Sequence, residues 1–265
     1  FYTNSSPWIP SRFYDEAVSE VQRKFLGTLF NTYSFYVLYA EIDKFDPSKY
    51  SLDDCRLNMM DKWILSSLNS LVAFVDDSLE NYKITESARA ISDFTDALSN
   101  WYVRRCRERF WGSDMTEDKK AAYMTLFTVL ETLSRLTAPF IPFMAEEIYR
   151  NIVVSVFPDA PESVHLASFP ACNEKYIDKA LEAGMTVAEN AAILGRAARN
   201  LSGIKNRQPL KKIILCGGQS ENLDSELLSV IRDELNVKDI EYAADAGGYV
   251  SYEVKPQLKT LGPKY

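Results

Sequence analysis

Apolar residues recur at steps of three and four along most of the first 157 positions, the spacing that gathers side chains on one face of a helix. Pro7 and Pro10 mark residues 1–12 as an irregular lead-in from a preceding region. Ala17, Val18, Val21, Phe25, Thr28, Leu29, Thr32 and Tyr36 then predict one amphipathic helix over 13–39, closed off by Asp46-Pro47-Ser48. Phe13, Phe25, Phe30, Phe35 and Tyr36 are expected to be its core and packing surface. Met60, Ile64, Leu68, Leu71, Val75 and Leu79 predict a second helix over 57–82. A third runs from Thr85, whose hydroxyl can cap it, through Ile91, Phe94, Leu98, Trp101 and Tyr102 to Phe110.

Gly112-Ser113-Asp114 is the next turn. A fourth helix starts at Thr116-Glu117-Asp118 and carries Met124, Phe127, Leu130, Leu133 and Leu136 until Pro139 and Pro142 interrupt it. Pro142 suits the first turn of a short further helix ending by Phe157-Pro158, with Glu146 and Glu147 expected to favour its positive start. Long helices joined by short turns pack most simply up and down, so residues 13–157 are expected to form one helical bundle.

The pattern changes after Pro158. A short extended piece over 163–166 and a helix over 174–202, with Ile177, Leu181, Met185, Ala188 and Ala192 inward, lead into alternating short elements. These are a strand over 212–216 stopped by Gly217-Gly218, a helix over 225–234, and strands over 239–243 and 249–254. Residues 158–265 therefore read as a small α+β C-terminal domain, and the fold class is mainly α: a helix bundle followed by that domain.

With 265 residues, 46% of them hydrophobic and 25% charged, the chain can bury the cores of two domains. No apolar run approaches the roughly 18 residues of a membrane span, and no basic-then-apolar start marks a secretory signal. A cytoplasmic location with no membrane partner is the expectation. The opening Phe1-Tyr2-Thr3-Asn4 has no initiator Met, which suggests a piece of a longer protein. Cys55, Cys106, Cys172 and Cys216 contain no Cys-x-x-Cys pair, so metal-ligand spacing is lacking and reduced thiols are expected.

Candidate chemistry is equally sparse. A nucleophilic triad would have to use His165, the one histidine, which has no nucleophile signature beside it and reads as structural. Gly217-Gly218 is a strand terminator and not a phosphate-cradling loop. Asp53-Asp54, Asp76-Asp77 and Glu146-Glu147 fit solvated faces or helix starts better than general acid–base work. No catalytic residue and no metal site is assigned.

Charge adds a different signal. A net charge of −7 and a pI near 5.0 disfavour a polyanionic partner overall. Between Glu189 and Glu221, however, there is no acidic residue, while Arg196, Arg199, Lys205, Arg207, Lys211 and Lys212 all lie there. A second cluster, Asn100-Trp101-Tyr102-Val103-Arg104-Arg105-Cys106-Arg107-Glu108-Arg109-Phe110-Trp111, interleaves arginines with aromatics. At 100° per residue, Arg105 and Arg109 share the apolar face of Ile91, Phe94, Leu98, Trp101 and Tyr102, and Arg104 and Arg107 lie outside. A guanidinium on that face either projects beyond the core or pairs with acids such as Asp76, Asp77, Glu146 or Glu147. Unstacked RNA bases can be taken by rings and guanidinium planes, and phosphates by arginine forks. Trp101, Arg104, Arg105, Arg107, Arg109 and Trp111 are thus candidate RNA contacts, with Arg104, Arg107 and Trp111 leading.

At this point three ordered segments resemble isoleucyl-tRNA synthetases. They are 100–111, the run Leu136-Thr137-Ala138-Pro139-Phe140-Ile141-Pro142-Phe143-Met144-Ala145-Glu146-Glu147-Ile148-Tyr149, and Gly195-Arg196-Ala197-Ala198-Arg199-Asn200 followed by Gly203 to Leu210. Asn4-Ser5-Ser6-Pro7-Trp8 is similar to the end of that family's catalytic region, and Val254-Lys255-Pro256 with Leu261 to Tyr265 to a late C-terminal motif. Valyl and leucyl relatives share the Ala-Pro-Phe-x-Pro-Phe segment and a Trp-Tyr helix, so the same region of either is the alternative. The resemblance implies an anticodon-binding bundle that contacts tRNA for isoleucine. ATP, Mg, amino-acid and proofreading sites then belong to an upstream catalytic part, since neither His-Ile-Gly-His nor Lys-Met-Ser-Lys-Ser occurs here. Without that resemblance, a helical protein-interaction scaffold is the rival. A grip on about six phosphates predicts a log–log salt slope of roughly −4 to −5, whereas a scaffold predicts a flat one.

Overall fold

In the computed structural model, which describes residues 14–217, 223–243 and 247–249, the first pattern folds as α1 (Asp15–Val21), a π turn (Gln22–Leu26) and α2 (Gly27–Asp43). The helix outruns Tyr39. It stops where Lys44 takes a left-handed backbone (φ 51°) and the Phe45 N–H reaches the Ala40 carbonyl at 2.8 Å, a Schellman-type closure. Leu29, Tyr33 and Tyr36 are buried, but Phe30 is half exposed, against the expectation of a core aromatic. Phe13 lies outside the described residues.

Helix α3 (Met59–Glu80) is the best-founded element. Asn58 Oδ1 accepts the Asp61 N–H while the Asp61 carboxylate accepts the Asn58 N–H, a reciprocal capping box. Its inner face buries Trp63, Ile64, Leu65, Leu68, Val72 and Val75. A tight turn at Tyr82 (φ 56°) leads into α4 (Ile84–Ala97). Thr85 does not cap this helix: Lys83 holds the cap position without a side-chain bond, and Thr85 is buried one residue inside. The helix continues as a π turn (Leu98–Val103), α5 (Arg104–Cys106) and a 3-10 turn (Arg107–Phe110). Despite those changes of pitch, Arg104 and Arg107 are exposed and Arg105 and Arg109 are partly covered, the division that a wheel drawn at a constant 100° gives.

Thr116 caps α6 (Glu117–Thr137) by accepting the Lys119 N–H, and Ala121, Ala122, Tyr123, Leu126, Leu130 and Leu133 fill its buried side. Pro142 opens α7 (Pro142–Tyr149), which extends through a π turn (Arg150–Val154). No acid stands in its first turn. Glu146 instead accepts from Ser163 Oγ and the Val164 N–H, each at 2.9 Å, fastening a 3-10 turn (Val164–Leu166) where an extended piece was expected. Residues beyond Pro158 stay tied to these helices, with Asn173 N–H on Asn69 Oδ1, Lys175 on Asp53, and Ser66 and Ser70 on Glu182. The boundary between compact units accordingly falls at Glu182/Ala183 and not at 157/158.

The second unit takes up the remainder of α8 (Lys179–Leu201), then β1 (Leu210–Cys216), α9 (Ser225–Leu235) and β2 (Val237–Ala243). The strands pair in parallel, Leu210 opposite Val237 through to Cys216 opposite Ala243. Parallel neighbours require a crossover, which α9 supplies. Asp224 caps α9 on the Leu227 N–H at 2.8 Å, and Leu227, Val230, Ile231 and Leu235 are its buried face. At Gly195 of α8 a Cβ would run into the Leu235 side chain, so the approach of these two helices depends on glycine. Gly217 ends β1 at φ 124°; of the strand expected over 249–254, only Tyr249 lies within the described residues, in a turn.

Candidate nucleic-acid interface

Two of the predicted RNA contacts are used inside the bundle. Arg109 forks onto Asp61, Nη1 to Oδ1 at 2.7 Å and Nη2 to Oδ2 at 2.8 Å, and its Nε reaches Asp118 Oδ2 at 2.9 Å. The Asp61 side chain is fully buried, and Tyr102 donates its hydroxyl to the same Oδ1 at 2.7 Å. Burial works against the Arg109 charge, but the Asp61 hydrogen bonds and charge outweigh it and hold the guanidinium protonated well above its ordinary value. Burial beside Asp61 pushes the Tyr102 phenol far up. The Trp101 ring is also buried, and the Arg104 and Arg105 guanidiniums lie 5.7 and 5.9 Å from its centroid. That ring is not available to stack on a base.

The acids that Arg109 meets are Asp61 and Asp118, not the Asp76, Asp77, Glu146 or Glu147 expected from the sequence. Their positions explain it. Each stands in the first turn of a helix, α3 or α6, and an antiparallel bundle brings those starts to the end of the α4–α5 stretch. Asn58-x-x-Asp61 was the legible signal, a capping box whose acid also sits in step with Ile64, Leu65 and Leu68.

A second clamp acts on the turn after Phe110. Lys119 is buried, with its Nζ 2.5 Å from the Gly112 carbonyl and 2.5 Å from Asp43 Oδ2. Tyr123 Oη donates to that Asp43 oxygen at 2.5 Å. Between these anchors the chain turns its remaining functional groups outward. Arg107 is exposed and has no ion-pair partner among the described residues, and Trp111 leaves 56% of its surface open. Arg104 is exposed too, its Nε bonded to the Asn100 carbonyl at 2.8 Å, with burial and the neighbouring Arg105 charge lowering its pKa. Arg105 is half-buried. Trp111, Arg107 and Arg104 are thus the exposed ring and cations of this segment, all within the stretch 104–111.

The second basic cluster divides in the same way. Arg199 is 5% exposed and binds the carbonyls of Lys205, Gln208, Leu235 and Asn236 at 2.5–3.2 Å. Arg196 pairs with buried Glu234, and Lys212 with Glu241 at 2.6 Å across the strand pair. Lys205, Arg207 and Lys211 are exposed. Arg199 therefore shapes the 203–209 loop on which Lys205 and Arg207 stand.

His165 is exposed on its 3-10 turn, its N–H on Ser163 Oγ. Cys106 is buried, its thiol pushed up to about 11 mainly by burial. Among the described residues no group of three or more His, Cys, Asp or Glu could hold a metal ion, and no helix is long and apolar enough to cross a membrane.

Comparison with known proteins adds identity to this geometry. Residues 61–214 match the family described as the anticodon-binding domain of tRNA ligase. The whole chain is 52% identical to an isoleucine–tRNA ligase of Clostridium novyi (strain NT), covering 25% of that protein's length. It is 43% identical, over 99% of its own length, to the isoleucine–tRNA ligase of Porphyromonas gingivalis, covering 23% of it. The counterpart from Bacteroides fragilis is 44% identical over the same share. The chain spans about a quarter of the length of the curated relatives it matches.

Proposed function

The chain belongs to the family of anticodon-binding domains of tRNA ligases, and from that membership we propose that it is the part of an isoleucine–tRNA ligase that holds the anticodon arm. The observation that carries the reading is identity of about half, sustained along the full chain, with proteins named isoleucine–tRNA ligase. In this reading the longer protein activates isoleucine with ATP and Mg and transfers it to tRNA. ATP, Mg and the reacting groups are assigned to the remainder of that protein, in the cytoplasm, and the present residues bind and orient.

The exposed side chains divide the work. Trp111 stacks on an unpaired base of the loop, and Arg107 and Arg104 take phosphate or base edges beside it. Lys205, Arg207 and Lys211 neutralise backbone phosphates, which fixes register without reading sequence. Holding the arm far from the reacting end directs the acceptor strand toward the catalytic part and makes charging depend on the anticodon.

The test is the affinity of the full-length ligase for isoleucine tRNA beside the same tRNA with a swapped anticodon. The swap is expected to weaken binding by about ten-fold or more, equivalent to the roughly 1–3 kcal/mol a base contact contributes. Equal affinity for both, with nearly flat salt dependence, would refute the reading in favour of a scaffold.

A further inference from the structure

We infer that Asp61 is a positioning residue for tRNA binding: its buried carboxylate holds Arg109 and Tyr102 so that Arg107 and Trp111 are presented on a fixed turn. The inference rests on the reading of that turn as an RNA contact. Arg109 joins the first turns of α3 and α6, since its fork is on Asp61 while Nε and Nη2 also bond the Asp118 carboxylate and carbonyl at 2.9 Å. Tyr102 ties the preceding helical turn to the same carboxylate oxygen. On the far side Lys119 holds the Gly112 carbonyl. Arg107 and Trp111 lie in the chain between these anchors, and both are exposed.

Stability alone does not call for this arrangement. A buried ion pair is a weak source of net stability, often matched by apolar side chains of similar volume. What a carboxylate–guanidinium fork adds is direction, because both hydrogen bonds are satisfied in one orientation. A turn oriented before RNA arrives loses less conformational freedom on binding, so affinity rises without a new contact. Asp61, 0% exposed and unable to touch RNA, acts through residues that can.

The experiment is a double-mutant comparison in the full-length ligase, with dissociation constants for isoleucine tRNA measured well below every melting transition. Asp61→Asn keeps the shape and removes the charge that orients the fork. It is expected to weaken tRNA binding about ten-fold in the otherwise native protein. With Arg107→Ala and Trp111→Ala already present, the same change is expected to cost less than two-fold, because nothing remains to be positioned. An undiminished penalty in that background, or native affinity for Asp61→Asn, overturns the inference. If Asp61→Asn does not fold, Asp118→Asn removes one arm of Arg109 at the exposed edge and must show the same dependence on background, smaller in size; additivity sinks the idea. If Arg107→Ala with Trp111→Ala leaves affinity unchanged, the contact reading itself fails.

Discussion

The two basic clusters bury an arginine by different means. In the helical unit Arg109 meets a carboxylate, so charge is balanced by charge on Asp61 and Asp118. In the second unit Arg199 meets the carbonyls of Lys205, Gln208, Leu235 and Asn236, so a cation is solvated by backbone dipoles. The first solution suits helix starts, where capping acids already stand. The second suits a loop and a helix end, where several carbonyls converge on one donor. In both, the covered guanidinium organises a short segment whose neighbouring cations remain exposed, so a basic cluster in sequence contains structural pillars as well as exposed cations.

Substitutions separate the two solutions. Arg109→Ala strands a fully buried carboxylate and is expected to cost about 3–5 kcal/mol in denaturant unfolding of the first unit; a loss below about 1 kcal/mol would show that Asp61 finds another partner. Arg199→Met leaves neutral carbonyls that water can partly reach, so a smaller loss of about 2–3 kcal/mol is expected. A loss larger than that of Arg109→Ala would reverse the ranking of charge pairing over dipole solvation. Gly195→Ala, which forces a methyl against Leu235, is expected to cost about 1–3 kcal/mol and to lower protection of β1 and α9 amides from exchange.

A titration probes the first unit further. Burial alone would raise the Glu182 pKa, but hydrogen bonds from Ser66, Ser70 and Lys179 outweigh it and hold the group below its ordinary 4.5. A depressed folded value gives stability that is complete above the unfolded pKa and is lost as pH falls through the folded one. The melting-temperature gap between native protein and Glu182→Gln is therefore expected to be present at pH 7 and to close below about 4.5; a gap that persists at lower pH contradicts the sign. The smallest stability effects belong to the exposed cations. Arg107→Ala and Arg207→Ala are each expected to change stability by less than about 0.5 kcal/mol, yet to lower the log–log salt slope for tRNA by about 1 each. An unchanged slope removes that residue from the interface.

The long helices were legible in the chain, because three- and four-step apolar spacing and Pro142 at a helix start are local signals, although the cap expected of Thr85 was not formed. The sequence also determined the parallel-capable strand, helix and strand of the second unit, and the ordered motifs that carried the family resemblance. It did not decide how far unit one extends, since the ties of Asn173, Lys175 and Glu182 to α3 and its lead-in are long-range hydrogen bonds. Nor did it decide which acids hold the inward arginine. A helical wheel put Arg109 on the inner face and Arg107 outside, where the structure has them, but it left open whether Arg109 pairs or projects beyond the core, and it offered Asp76, Asp77, Glu146 and Glu147 as partners. The partner was set by which acid from the start of another helix comes within 3 Å, as Asp61 does for Arg109. That is a property of packing, because hydrogen bonds between helices depend on position in space and leave no period in the chain.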